Sequence, residues 1–134
     1  IDCHSYPSIP LIRDLNKNSN RPDFNIGTDA FHTPKHLIDL SVEFFKNAGF
    51  TLGIDWPYKG SIVPLEHFNK NKNVQTIMLE INRALYLQEP TNKKSEKYLH
   101  RFECVFHTKH LFRECALGIG LVSRVTLVAT RGSK

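Results

Sequence analysis

The stretch Phe24-Asn25-Ile26-Gly27, then Thr33-Pro34-Lys35-His36-Leu37-Ile38-Asp39-Leu40-Ser41-Val42-Glu43-Phe44-Phe45-Lys46-Asn47-Ala48-Gly49, then Phe50-Thr51-Leu52-Gly53-Ile54, decides the fold class. Residues 24–27 alternate apolar with small or polar side chains and stop at a glycine, the pattern of a short strand. Leu37, Leu40, Ser41, Phe44, Phe45 and Ala48 recur at three- and four-residue spacing, which predicts a helix over about 34–48. Thr33 is the expected N-cap, Pro34 suits the first turn, and Gly49 suits the left-handed position after the helix. Phe50–Ile54 then reads as the next strand. Strand, helix, strand is the signature of an α/β layer arrangement.

Working outward, Ile1–Ser5 reads as the end of a strand, and Tyr6–Asn20 as a proline- and asparagine-containing loop with little structure of its own. Asp55–Ser61 is a turn built on Trp56-Pro57-Tyr58-Lys59-Gly60. Pro64–Phe68 is a short helical turn. The apolar run Val74–Ile81 is expected as a strand covered on both faces. Ser95–Phe112 carries helical spacing, and Ala116–Thr130 is strand-like without an obvious partner.

The chain has 134 residues with 40% apolar and 23% charged side chains, enough for one domain with a real core. No apolar run approaches the roughly 18 residues of a membrane span. The net charge is +5, but residues 1–67 hold 6 basic against 8 acidic groups and residues 68–134 hold 12 against 5. The excess therefore belongs to the C-terminal third, and no clustered basic face with aromatic readers points to nucleic acid. Three cysteines make no disulfide framework, and with no secretory leader read at its start the expected location is cytoplasmic. The first residue is Ile1, and Ile-Asp-Cys-His already reads as the inside of an element, so the expectation is a piece of a longer chain.

Two positions draw attention as chemistry. Asp2 and His4 are two apart in a strand and share one face, at the sheet rim where open α/β sheets bind ligands; the alternative is a core histidine bonded to backbone. Glu80 interrupts the apolar run Ile77-Met78-Leu79, where an unpaired carboxylate is costly, so it must pair, face a cleft or serve a metal-linked water. Arg83 follows three residues later and Asn82 shares the strand face of Glu80. Either Glu80 and Arg83 form a local ion pair, or Glu80 is a general base with Arg83 beside it to hold an anionic substrate.

Four segments then occur in order: Ile1-Asp2-Cys3-His4-Ser5-Tyr6, Arg21-Pro22-Asp23-Phe24-Asn25-Ile26-Gly27-Thr28-Asp29, Pro57-Tyr58-Lys59-Gly60-Ser61 and Leu79-Glu80-Ile81-Asn82-Arg83-Ala84-Leu85-Tyr86. Together they resemble the N-formylglutamate amidohydrolase family over roughly residues 1–89. The resemblance implies a zinc hydrolase with an α/β, three-layer, zinc carboxypeptidase-like fold and a mostly parallel or mixed sheet, related also to aspartoacylase. It implies that His4 is one metal ligand, with an upstream His and Glu lying before residue 1. Glu80 matches the general base, and Arg83 is the candidate to hold a substrate carboxylate. Asn82, Tyr58, Lys59 and Gly60 are implied wall residues. The small-molecule substrate would be N-formyl-L-glutamate, with no nucleic-acid or membrane partner.

On this reading residues 1–113 belong to the catalytic domain and 114–134 are an unassigned tail. The competing expectations are a related metallo-amidase for another N-acyl amino acid, and a non-catalytic fragment whose basic tail meets an acidic partner. His100, Cys104, His107, His110 and Cys115 read as a solvated basic helix face rather than a second metal site. His32 is a possible cleft residue, His36 a surface residue, and Cys3 a buried strand residue with no nucleophilic role.

Overall fold

The computed structural model describes residues 1–89, 91–95 and 128–129. The helix expected over Ser95–Phe112, its histidines and cysteines, and most of the 114–134 tail lie outside the described residues. Strands β1 (Asp2–Tyr6), β2 (Phe24–Gly27), β3 (Leu52–Ile54) and β4 (Met78–Asn82) and helix α1 (Lys35–Asn47) form the body. A 3₁₀ turn at Arg83–Leu85 leads into the small hairpin of β5 (Leu87–Gln88) and β6 (Lys93–Lys94), and β7 is Val128–Ala129. Among the described residues the main sheet runs β3-β2-β4-β1-β7. Its neighbours are parallel except for β2 against β4, so the fold is α/β with a mixed sheet. Within the segment expected to be strand-like, Val128 and Ala129 pair with β1, Val128 opposite Asp2 and Ala129 opposite Cys3.

Strand alternation gives the sheet two unlike faces. Cys3, Leu79, Ile26 and Phe24 fall on one, and Asp2, His4, Glu80, Asn82 and Asn25 on the other, as the register of β1, β4 and β2 requires. The apolar face takes α1 through Leu37, Ile38, Phe44, Phe45 and Ala48. Phe24 packs against Phe45 at 4.4 Å and meets Phe50 edge-on at 5.1 Å. Burying rings of this size contributes roughly 2–3 kcal/mol each, the largest local term holding helix to sheet. Leu40, expected on the packed stripe, is instead partly exposed, and Ile38 takes its place.

The C-terminal end of α1 has an identifiable stop. Phe50 N–H bonds Phe45 C=O at 2.9 Å and Gly49 N–H bonds Lys46 C=O at 3.0 Å, with Gly49 at φ 75°. This pair of bonds is the Schellman arrangement, and the positive φ is why glycine stands there. At the other end the expected Thr33 cap is not made: Pro34 is the N-cap position, without a side-chain bond. The Thr33 hydroxyl donates to Thr76 C=O at 2.7 Å and accepts from Asp29 N–H at 2.8 Å.

That tie explains a second correction. The strand expected over Val74–Ile81 starts only at Met78. The backbone of residues 74–76 is committed elsewhere, Val74 C=O to His32 Nδ1 at 2.8 Å and Thr76 N–H to His32 C=O at 2.9 Å. His32 is therefore a buried brace rather than a cleft residue, its Nε2 accepting from Asn69 N–H at 3.0 Å. His36 is exposed, as expected.

The 7–20 loop is irregular but anchored. Arg21, buried at its base, donates to Asp14 at 2.7 Å and to Pro7 C=O at 3.0 Å, and lies 5.7 Å from the rings of both Tyr6 and Tyr58. Ser8 bonds the Glu89 carboxylate through its N–H at 3.0 Å and through its hydroxyl. Among the described residues no helix is long and apolar enough to cross a membrane.

Candidate active site

The polar face of the sheet carries the candidate residues in rows. His4 on β1, Glu80 on β4 and Asn25 on β2 are lateral Cα partners, so their side chains project from the same face side by side. Asp2 and Met78 form the row below, and Tyr6 and Asn82 the row above. His4 Nε2 lies 2.9 Å from Asp2 Oδ1, an ion-pair distance without hydrogen-bond alignment, so both Asp2 oxygens remain buried with no aligned donor. The His4 side chain is 33% exposed, which leaves it open to solvent or ligand.

Glu80 is only 8% exposed, and its Oε2 is buried without a hydrogen-bond partner among the described residues. Desolvation pushes its carboxyl up to about 7, and nearby Asp2 adds to the rise, against the opposing pull of His4 and Arg83. The local ion pair with Arg83 is not formed. Arg83 instead donates from Nε to Ser5 Oγ at 3.2 Å and from Nη2 to Ser5 C=O at 3.2 Å. Ser5 lies between His4 and Tyr6 in the strand, so its side chain points to the opposite face. One edge of the guanidinium fork is thereby occupied, while Nη1 donates to no described residue.

The expected wall residues divide. Asn82 is buried, with Nδ2 bonded to Pro22 C=O at 3.0 Å and Oδ1 to Ala84 N–H at 3.1 Å. It caps the 3₁₀ turn and ties β4 to Pro22, two residues before β2, so both ends of its amide are engaged in the fold. Tyr58, Lys59 and Gly60 lie on a turn that starts with a cis Trp56–Pro57 bond and covers β2 and β3. The Tyr58 hydroxyl donates to Asp14 Oδ1 at 3.3 Å, and Lys59 is exposed. Cys3 packs against the core, and burial pushes its thiol up, away from nucleophilic thiolate.

Sequence reasoning passed over Asn25 and Arg21, although an amide inside the strand Phe-Asn-Ile-Gly is itself a signal. As a metal centre the described residues are incomplete. Among them no three His, Cys, Asp or Glu side chains gather to hold an ion, whereas a catalytic zinc takes three protein ligands. His4 fits as one such ligand, and nothing described here completes the set.

Residues 1–87 match the family model of N-formylglutamate amidohydrolase. The chain belongs to the N-formylglutamate amidohydrolase family. Its fold is shared with the crystal structure of N-formylglutamate amidohydrolase from Ralstonia eutropha JMP134, at a TM-score of 0.64 and 24% identity over 87% of this chain. The matched region is 44% of that enzyme, so this amidohydrolase-family chain spans less than half of its length. A comparison with curated proteins gives no match. The family match covers β1, β2, α1, β3 and β4, and therefore every row of the polar face.

Proposed function

We propose that this chain forms part of an amidohydrolase that cleaves N-formyl-L-glutamate to glutamate and formate, with Glu80 as the general base. The observation that carries the reading is the row His4–Glu80, in which a buried carboxylate keeps an unpartnered oxygen beside an accessible imidazole. In a family that hydrolyses an amide, such an oxygen is suited to take a proton from the attacking water and return it to the departing amine nitrogen. Burial keeps that carboxyl near neutrality, where both transfers are feasible. Arg83, with Nη1 uncommitted, and the exposed Lys59 offer positive charge to the substrate carboxylates.

Zinc belongs to the proposal. His4 would hold it together with ligands beyond the described residues, and it would supply Lewis-acid polarisation of the formyl carbonyl. The complete architecture is proposed to be the three-layer, carboxypeptidase-like sandwich, with the described sheet as its middle layer. A second reading, hydrolysis of a different N-acyl amino acid, is favoured by the engagement of Arg83 with Ser5, which leaves a smaller anion clamp.

Formate release from N-formyl-L-glutamate, measured beside N-acetyl- and N-formyl-alanine, tests the reading. A kcat/KM highest for N-formyl-L-glutamate, and a kcat lowered at least about 100-fold by Glu80→Gln with metal content unchanged, are expected. Turnover preserved in the Gln variant would remove Glu80 from the reaction.

A further inference from the structure

Asn25 is wholly buried on the polar face, beside Glu80 in the neighbouring strand and beside Gly53 in the other. A buried amide must find partners for both its ends. Asn25 finds them in one place: Oδ1 accepts from Trp56 N–H at 3.0 Å, and Nδ2 donates to Tyr58 C=O at 2.8 Å. These are backbone groups of the turn that presents Tyr58, Lys59 and Gly60.

The sheet beneath that turn is cut back to receive it. A Cβ on Gly53 would stand 2.1 Å from Trp56 O, and one on Gly27 would stand 2.1 Å from Gly60 O. Gly53 and Gly27 flank Asn25 on the same face, one across the β2–β3 ladder and one two residues along β2. The turn therefore rests on β2 and β3 at a distance that no side chain permits, pinned at its middle by an amide. Its start is also fixed, because the Asp55 carboxylate accepts from Thr28 N–H and Thr28 Oγ, each at 2.7 Å. Over β1, by contrast, His4 stays accessible.

We propose that Asn25 is a positioning residue, which holds the Trp56–Gly60 turn against β2 and β3 beside Glu80 and so bounds the space over the His4–Glu80 row. The wall limits the acyl-amino acids admitted to those that fit between it and β1. This inference rests on the hydrolase reading for its substrate, but not for its geometry. An aspartate in place of Asn25 keeps the acceptor for Trp56 and loses the donor for Tyr58, and an alanine loses both.

Trp56 is the single tryptophan of the sequence, so its fluorescence reports the turn without reference to catalysis. Asn25→Ala is expected to red-shift Trp56 emission and increase its quenching by acrylamide in the folded protein. The same variant is expected to raise KM for N-formyl-L-glutamate about tenfold while kcat stays within about threefold, since a misplaced wall loosens binding before it disables the base. Gly53→Ala, which pushes on Trp56 O from below, should produce both changes without touching Asn25, and decides the matter if Asn25→Ala does not fold. Unaltered quenching, or a displaced turn with KM unchanged, overturns the proposal. Activity is read in the full-length enzyme; if that enzyme does not release formate, the hydrolase reading fails, and the quenching data still decide whether Asn25 holds the turn.

Discussion

His4 and Glu80 are lateral partners across the parallel β1–β4 ladder, one accessible and the other nearly sealed from water. Their backbones lie about 5 Å apart, the ordinary spacing of paired strands. An imidazole and a carboxyl in unlike surroundings are thus held side by side by main-chain hydrogen bonds alone, before either meets a ligand.

The first expectation concerns rate against pH. Glu80 accepts a proton only when ionised, and burial holds its carboxyl up to about 7. The kcat/KM for formate release should therefore fall about tenfold per pH unit below that value. A profile that is flat down to pH 5 would point to a different base.

Stability should move in the opposite sense. An unfolded glutamate titrates near 4.5, and the folded one near 7. Between those values the folded state binds a proton that the unfolded state does not, so stability falls as pH rises through the window and levels off above it. The loss attributable to Glu80 is roughly 3 kcal/mol. Urea denaturation at pH 5 and pH 8 should show a smaller pH-dependent drop for Glu80→Gln than for the parent. Equal drops would mean that Glu80 is not the buried acid.

Arg83→Ala is expected to raise KM for N-formyl-L-glutamate about tenfold and to leave a neutral formyl amide within about twofold. If both substrates suffer alike, the arginine acts through Ser5 and the rim of the sheet, and the anion clamp lies elsewhere.

Much of this arrangement was legible in the chain because its signals are local. Phe24–Gly27 alternates within four residues, and α1 carries its own spacing and stop, so both lie within a residue or two of expectation. Asp2 and His4 also announce themselves, as a polar pair on one face of a strand, and Glu80 as a carboxylate where an apolar run calls for an apolar residue. Val74–Ile81 misled because an apolar run does not say whose hydrogen bonds will claim its backbone; His32 and Thr33, some forty residues earlier, claim residues 74–76. Asn25 stands out as an amide in a strand, but neither it nor Arg21 reveals its role, since their partners at Tyr58 and Asp14 are chosen by tertiary contact. Arg83 was legible as a cation near Glu80 but its tether was not, since the Ser5 groups that hold it stand in a strand 78 residues earlier.

Arg21→Met should lower stability by about 3 kcal/mol, measured as a shift in the urea midpoint. The change removes the guanidinium that pairs with Asp14, leaving that carboxylate only the Leu11 N–H and Tyr58 hydroxyl, and it removes the cation between Tyr6 and Tyr58. A change under about 0.5 kcal/mol would show that Asp14 is solvated in the native state.

Gly49→Ala should cost about 1 kcal/mol, because the residue holds φ 75° to close the end of α1. Thermal denaturation resolves a difference of that size. An unchanged midpoint would mean that the helix ends without the left-handed residue.

The parallel pairing of β1 with β4 has a temporal side. The two strands are roughly 75 residues apart in sequence, and parallel partners cannot meet through a tight turn. At ordinary synthesis speeds the segment around His4 leaves the ribosome roughly 4 to 15 seconds before its partner around Glu80. During that interval the Asp2–His4 strand has no β4 to lie against, and the His4–Glu80 row comes into being only when the long loop closes.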